Sequence, residues 1–225
     1  MTQIPRFLVN SLFVSLVCSV MRMMVASMAA YAFAFFEFKG KNILFYLNQD
    51  MREFELYGTV RAVISLCDTM NYLTEYDDLV NVCRLVNNYL GIMILYFVSA
   101  ANIFLMRQNF KTIPKELKEA ADIDGCSAFG FYWRILLPIA KPVMTTVFIS
   151  SFVSTWNMYL WPMIITTRNE MRTVQVGITM LNFSEEAAYG ATMAGAVIVL
   201  IPSIIIFIIS QKQIVKGMTA GAVKG

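Results

Sequence analysis

Long apolar runs alternate with polar stretches along the chain, and their lengths predict membrane-crossing helices. Residues 7–36 are apolar over about 30 positions, which at 1.5 Å per residue is more than the roughly 30 Å hydrocarbon core requires, so this helix tilts or projects. A cleaved leader is the poorer reading, because the apolar run is too long for one and Arg22 sits inside it. Residues 89–106, YLGIMILYFVSAANIFLM, carry no charge and end at Arg107, with Lys111, Lys115 and Lys118 close behind. That basic flank predicts a cytoplasmic end for the span. Residues 143–166 and 189–210 supply further spans. The pattern gives an all-α fold, a polytopic transmembrane helix bundle, in one domain over residues 1–225.

Between the second and third of these runs lies a polar interruption, 107–142. Pro114 suits the start of a helix, where its missing N–H has no partner, and Glu116 places a negative charge near the positive end of the dipole. Ile113, Leu117, Ala120, Ala121 and Asp124 then fall on one face, and Gly125 is placed to close the helix with positive φ. A second helix carries Phe129, Tyr132, Trp133 and Leu136 at the same spacing, until Pro138 and Pro142 stop it. The prediction is a compact amphipathic hairpin outside the membrane.

Composition narrows the chemistry. With 58% hydrophobic residues and a mean hydropathy of +0.61, the chain is too apolar for an ordinary soluble domain. The net charge of +3 is modest, and the basic residues stand beside apolar runs instead of in a block, which fits membrane topology and not nucleic-acid binding. There is no histidine, so Ser-His-Asp, Cys-His and HExxH chemistry is excluded. Cys18, Cys67, Cys83 and Cys126 show no metal-ligand spacing and read as small apolar fillers. No GxxxxGK[ST] phosphate cradle occurs, so any nucleotide energy must come from a partner.

Within the hairpin stand Glu119-Ala120-Ala121, then Gly125 after three residues, Ile135 after nine more, and Leu137-Pro138 after one more. At these positions the chain resembles the membrane subunits of binding-protein-dependent ABC importers, of the type that takes up sugars, oligosaccharides or glycerol phosphate. SFVSTWNMYLWP (151–162) and VKGMTAGAVKG (215–225) agree with the same family. The resemblance is strong over about 89–225 and fair over 7–45. It is lost in between, and the family's usual first span is not seen. It implies a cell-membrane permease subunit with its C-terminus in the cytoplasm. Such a subunit pairs with a second homologous permease and docks two cytoplasmic ABC ATPases through the 107–142 loop. It receives solute from an extracytoplasmic binding protein. ATP and Mg would be used by the partner subunits, with no cofactor on this chain. The residues carried over for the ATPase-coupling loop are Glu119, Ala120, Ala121, Asp124, Gly125, Ile135, Leu137 and Pro138.

The residues themselves suggest a path for a solute. Thr146, Ser150, Ser154 and Asn157 recur at steps of four, four and three and form one polar stripe on the third run. They are candidates for the translocation path, with helix contact and self-bonding hydroxyls as the competing reading. Trp156, Tyr159 and Trp161 fit an interfacial belt opposite the cytoplasm. Arg22 lies near mid-span, where a charge is costly, and pairing or snorkelling is favoured over a substrate role. Ala26, Ala30 and Ala34, and again Ala187, Ala191 and Gly195, are small-residue stripes for close helix approach, while Pro202 permits a kink.

Residues 37–88 are polar and hold no 18-residue apolar run. Lys39 and Lys41 call for a cytoplasmic end after the first span, as does Arg107 after 89–106, so a crossing is needed between them. The best candidate, 56–74, contains Arg61 and Asp68 and is expected not to insert stably by itself. Two other functions compete. A secondary transporter needs intramembrane acids, and the spans from 89 onward have none. A defective permease, altered over 46–88, would assemble poorly or not transport.

Overall fold

A helix that faces lipid should carry its small and polar residues inward and its large apolar residues outward, the reverse of a helix in water. The computed structural model describes residues 4–36, 86–181 and 189–219, and its first helix has that inverted character. In α1 (Ile4–Phe35) the buried face is Asn10, Ser11, Ser15, Cys18, Ser19, Arg22, Ala26, Ser27 and Ala30, with Val14 and Tyr31. Val9, Leu12, Phe13, Leu16, Val20, Met21 and Met28 point out. Because Ala26 and Ala30 have almost no side chain, α1 lies close against its neighbours there.

The run at 89–106 is broken. Asn88 accepts from the Leu90 amide and starts α2 (Tyr89–Met93), which tightens into a 3₁₀ turn over Ile94–Tyr96. Ser99, in extended conformation, then begins α3 (Ala100–Lys111), and the two halves meet at 49°. The second half runs beyond 106: Arg107 is buried with its Nε–H on the Phe33 carbonyl (3.3 Å), and Phe110 is fully buried.

After α4 (Lys115–Ile123) the chain turns into α5 (Ala128–Phe131), a π-turn (Tyr132–Leu136) and α6 (Leu137–Ile139). Pro138 therefore does not stop the helix, contrary to the sequence reading. The Leu137 amide reaches back five residues to the Tyr132 carbonyl, and this wider turn makes room for the proline ring. The break falls at Ala140, where α7 (Lys141–Trp156) leaves at 80° with Pro142 in its first turn. The run at 143–166 is also divided, into α7 and α8 (Leu160–Ile165). A 3₁₀ turn (Asn169–Met171) and a short helix not expected from the sequence, α9 (Val174–Leu181), precede α10 (Tyr189–Thr219).

By length and composition α1 can cross a membrane alone, and each bent pair can do so taken together. α10 passes through Pro202 without a break and has an apolar stretch at Met193–Ile208. α1 packs on α3 and α7, and α7 on α10. Trp156 and Trp161 are not an interfacial belt: they are 2% and 4% exposed and act as packing anchors. The Trp156 indole donates to the Val199 carbonyl in α10 (3.2 Å), one residue from the carbonyl that Pro202, lacking an N–H, cannot serve. The Trp161 indole donates to the Gly91 carbonyl (2.9 Å). The expectations for the crossing at 56–74, for Lys39 and Lys41, for Ala187 and for the end of the tail fall outside the described residues.

Candidate functional site

The hairpin is built by local chemistry. Pro114 caps α4, Glu116 sits in its first turn, and Gly125 ends it with φ +74°. The Cys126 amide reaches the Ala121 carbonyl (2.8 Å) and the Gly125 amide that of Asp122 (3.1 Å), the paired bonds of a Schellman ending. Ser127 then caps α5 by accepting from the Gly130 amide (3.1 Å).

One side of this hairpin is packed against α1. Ile113, Ala121, Phe131, Tyr132, Leu136 and Leu137 are buried in a cluster with Ala26, Ala30 and Tyr31. The Tyr132 and Ser27 hydroxyls are 2.6 Å apart, and the Tyr31 hydroxyl donates to the Ala128 carbonyl (3.0 Å). Lys118 pairs with Asp122 and lies over the Phe131 ring, 5.5 Å from its centre.

The other side is open. Glu119, Ala120, Asp124 and Pro138 are exposed, as are three large apolar side chains: Ile123 (87%), Phe129 (68%) and Trp133 (44%). Phe129 and Trp133 meet edge to face at 6.0 Å. Two sequence expectations are thereby corrected. Ala120 and Asp124 do not share the buried side of Ile113 and Ala121, because Ala120 is turned about 100° from Ala121 and Asp124 lies in the C-cap beyond the helix. Likewise Phe129 and Trp133 form one i,i+4 row that faces out, while Tyr132 and Leu136 form the adjacent row that faces in. Of the eight carried-over residues, Ala121 and Leu137 shape the interior, Ile135 is half-buried, and Gly125 makes the turn.

A separate cavity of about 360 Å³ lies where α1, α3 and α7 meet the break after Tyr96. Arg22, Tyr96, Ser99, Asn102, Ser150 and Ser154 are among the residues that line it. Arg22 does not snorkel. Its Nε–H donates to the Tyr96 carbonyl at 2.7 Å, capping the end of the 3₁₀ turn, and its guanidinium lies over the Tyr96 ring. Buried Asn102 donates to the Ser151 hydroxyl (2.8 Å) and joins α3 to α7. Thus only the middle of the predicted stripe reaches the cavity. Thr146 and Asn157 bond back to the Pro142 and Val153 carbonyls (3.1 and 2.9 Å); Ser150 does the same to Val147 (3.1 Å) yet still lines the space. Asn102, Ser99 and Tyr96 were not singled out from sequence. An amide within an uncharged apolar run was the one visible signal. Among the described residues no group of three His, Cys, Asp or Glu could hold a metal.

Comparison with known proteins covers nearly the whole chain. The arabinooligosaccharides transport system permease protein AraQ of Halalkalibacterium halodurans is 31% identical over 96% of this chain and 73% of its own length. The sn-glycerol-3-phosphate transport system permease protein UgpE of Yersinia pestis is 30% identical over 94% of this chain and 71% of its own. Among solved structures, a bacterial ABC transporter involved in the import of the acidic polysaccharide alginate superposes with a TM-score of 0.75. It is 25% identical and covers 94% of this chain and 75% of that one. With residues 4–220 matching the family model as well, the chain belongs to the binding-protein-dependent transport system inner membrane components.

Proposed function

We propose that this chain is one permease half of an ATP-driven importer in the cell membrane, moving a carbohydrate or a small polyol phosphate inward. It pairs with a second permease, takes solute from an extracytoplasmic binding protein, and passes the work of two cytoplasmic ATPases into the bundle through the hairpin. ATP and Mg act on those partners. The C-terminus lies in the cytoplasm. The solute class follows the relatives, which are named for arabinooligosaccharides and sn-glycerol 3-phosphate.

The observation that carries this reading is the two-sided hairpin: buried against α1 through Phe131, Tyr132 and Leu136, and presenting Ile123, Phe129 and Trp133 outward. Short amphipathic helices of this kind seat an apolar face in a partner's groove. A rigid pair attached to α3 and α7 tilts those helices when it is pushed, which is the motion alternating access needs.

The test uses Gly125. A Cβ there meets nothing within 4 Å, so substitution acts through the backbone alone. Gly125→Val forces a β-branched residue into positive φ, at roughly 1–2 kcal/mol or more, whereas Gly125→Asn tolerates it. Solute-stimulated ATP hydrolysis by the assembled transporter should be lost in Gly125→Val and in Glu119→Lys, kept in Gly125→Asn, with membrane insertion intact in all three. Full stimulation in both Gly125→Val and Glu119→Lys would sink the proposal.

A further inference from the structure

The two arms of the hairpin carry opposite charge. In α4 and its C-cap the acids Glu116, Glu119, Asp122 and Asp124, all exposed, outnumber Lys115 and Lys118. From Gly125 to Trp156 the sequence has no acid, and its charges are Arg134 and Lys141, both exposed. Among the described residues the ion pairs are Arg6–Glu170 and Lys118–Asp122, so the two cations of the second arm meet no carboxylate there.

The second arm also lies at the depth of lipid headgroups. Ala128–Ile139 makes an angle of 80° with α7, and α7 packs on α1, so an arm leaving these crossing helices runs close to the membrane plane. It rests on the last turns of α1. Tyr31 and Phe35 meet Phe131 at 6.4 and 5.6 Å, and the first charges beyond them in sequence are Glu37 and Lys39. At that depth a cation next to an exposed apolar side chain is the pairing that interfacial helices use. Arg134 follows exposed Trp133, and Lys141 stands two residues after exposed Ile139. We propose that the second arm is a docking surface for anionic phospholipid of the cytoplasmic leaflet, with Arg134 and Lys141 on headgroup phosphates and Ile139 among the acyl chains. The same leaflet repels the acidic arm, α4, and so turns it to the soluble side, where the ATPases are. The proposal rests on the permease reading, which puts the hairpin in the cytoplasm, and adds a lipid that sets the hairpin's orientation.

Lipid contact can be read directly on the assembled transporter in nanodiscs of mixed phosphatidylglycerol and phosphatidylcholine. With the four native cysteines replaced, a fluorophore is attached through Ile139→Cys or, on the acidic arm, through Asp124→Cys. A trace of lipid carrying a nitroxide on its acyl chain is then added, as phosphatidylglycerol or as phosphatidylcholine. Quenching at the Ile139 site should be at least about threefold stronger with the phosphatidylglycerol probe, and weak with both probes at the Asp124 site. Arg134→Gln together with Lys141→Gln should bring that ratio close to one, Arg134→Lys should keep most of it, and added salt should shrink it. Equal quenching by the two probes, no quenching at the Ile139 site, or a ratio unchanged by the paired Gln substitutions overturns the proposal. So does a ratio that appears only once the ATPases are stripped off, because the ATPases then cover this arm. The two lipids are compared with both cations in place, so the result stands even if the paired variant does not assemble. Solute-stimulated ATP hydrolysis is followed on the same sample. Stimulation without lipid preference removes the lipid surface and leaves the permease reading, whereas preference without stimulation keeps the lipid surface and counts against that reading.

Discussion

The two ends of α1 are held in different ways. At the N-terminal end, beside the Phe13–Tyr89 ring contact, α1 is held by directional bonds, three of them to backbone. Buried Asn10 donates to the Glu170 and Arg172 carbonyls (2.8 and 3.1 Å) and accepts from the Tyr89 hydroxyl (2.9 Å), while Ser11 accepts from the Val174 amide (2.8 Å). At the C-terminal end ring contacts are added to the hydrogen bonds of Ser27 with Tyr132, Tyr31 with Ala128 and Arg107 with Phe33. Tyr31 meets Phe131 and Tyr132 at centroid distances of 6.4 and 5.3 Å, and Phe35 meets Phe131 at 5.6 Å. Hydrogen bonds weaken steeply when angle or distance changes, whereas tilted ring contacts keep most of their attraction through a small slide. Under the proposed function, this difference predicts that the N-terminal end of α1 stays anchored while the hairpin end shifts.

Substitutions at the two ends should break or sharpen this contrast. The largest stability loss is expected for Asn10→Leu, about 3 kcal/mol, because it removes three bonds made by a buried side chain; the thermal unfolding midpoint in detergent reads it. Next comes Gly177→Ala at the same end. Its Cβ would stand 2.3 Å from the Phe7 ring, and overpacking of that kind costs about 1–3 kcal/mol in the same assay. At the hairpin end, Tyr132→Phe removes a hydroxyl but keeps the ring, and Ser27 retains its bond to the Met24 carbonyl (2.9 Å). A loss of about 1 kcal/mol is expected, with stimulated ATP hydrolysis within about twofold of the parent. The smallest effect belongs to Arg6→Gln: the Arg6–Glu170 pair spans 3.5 Å with both side chains more than half exposed, so under about 0.5 kcal/mol should be lost.

The hairpin was legible because its determinants are local. Pro114, Gly125 and the spacing from Glu119 to Pro138 act within a few residues of themselves, and the glycine ending took the backbone form its position implied. Which side chains face inward was less legible, since Phe129 with Trp133 and Tyr132 with Leu136 form two adjacent rows and spacing alone does not say which of them packs on α1. The cavity was half visible. Ser150 and Ser154 follow from periodicity on one helix, but Arg22, Ser99 and Asn102 converge only because the run at 89–106 breaks after Tyr96, and hydropathy averaged over a span hides such a break. Trp156 and Trp161 were misplaced for a related reason: their aromatic character suits an interface, yet their indole N–H groups find carbonyls inside the bundle. The short α9, eight residues long, lies between two apolar runs and is too short to register as a span of its own.

The contrast between the ends of α1 is tested most directly by spin–spin broadening between paired nitroxide labels in the assembled transporter, at rest and trapped during ATP turnover. One pair, at Val9 and Arg168, spans the anchored end, and the other, at Phe36 and Ala128, spans the hairpin end; all four positions are exposed. A fixed anchor with a shifting hairpin predicts unchanged broadening for Val9–Arg168 and altered broadening for Phe36–Ala128 on trapping. Change at Val9–Arg168 with none at Phe36–Ala128 would contradict it.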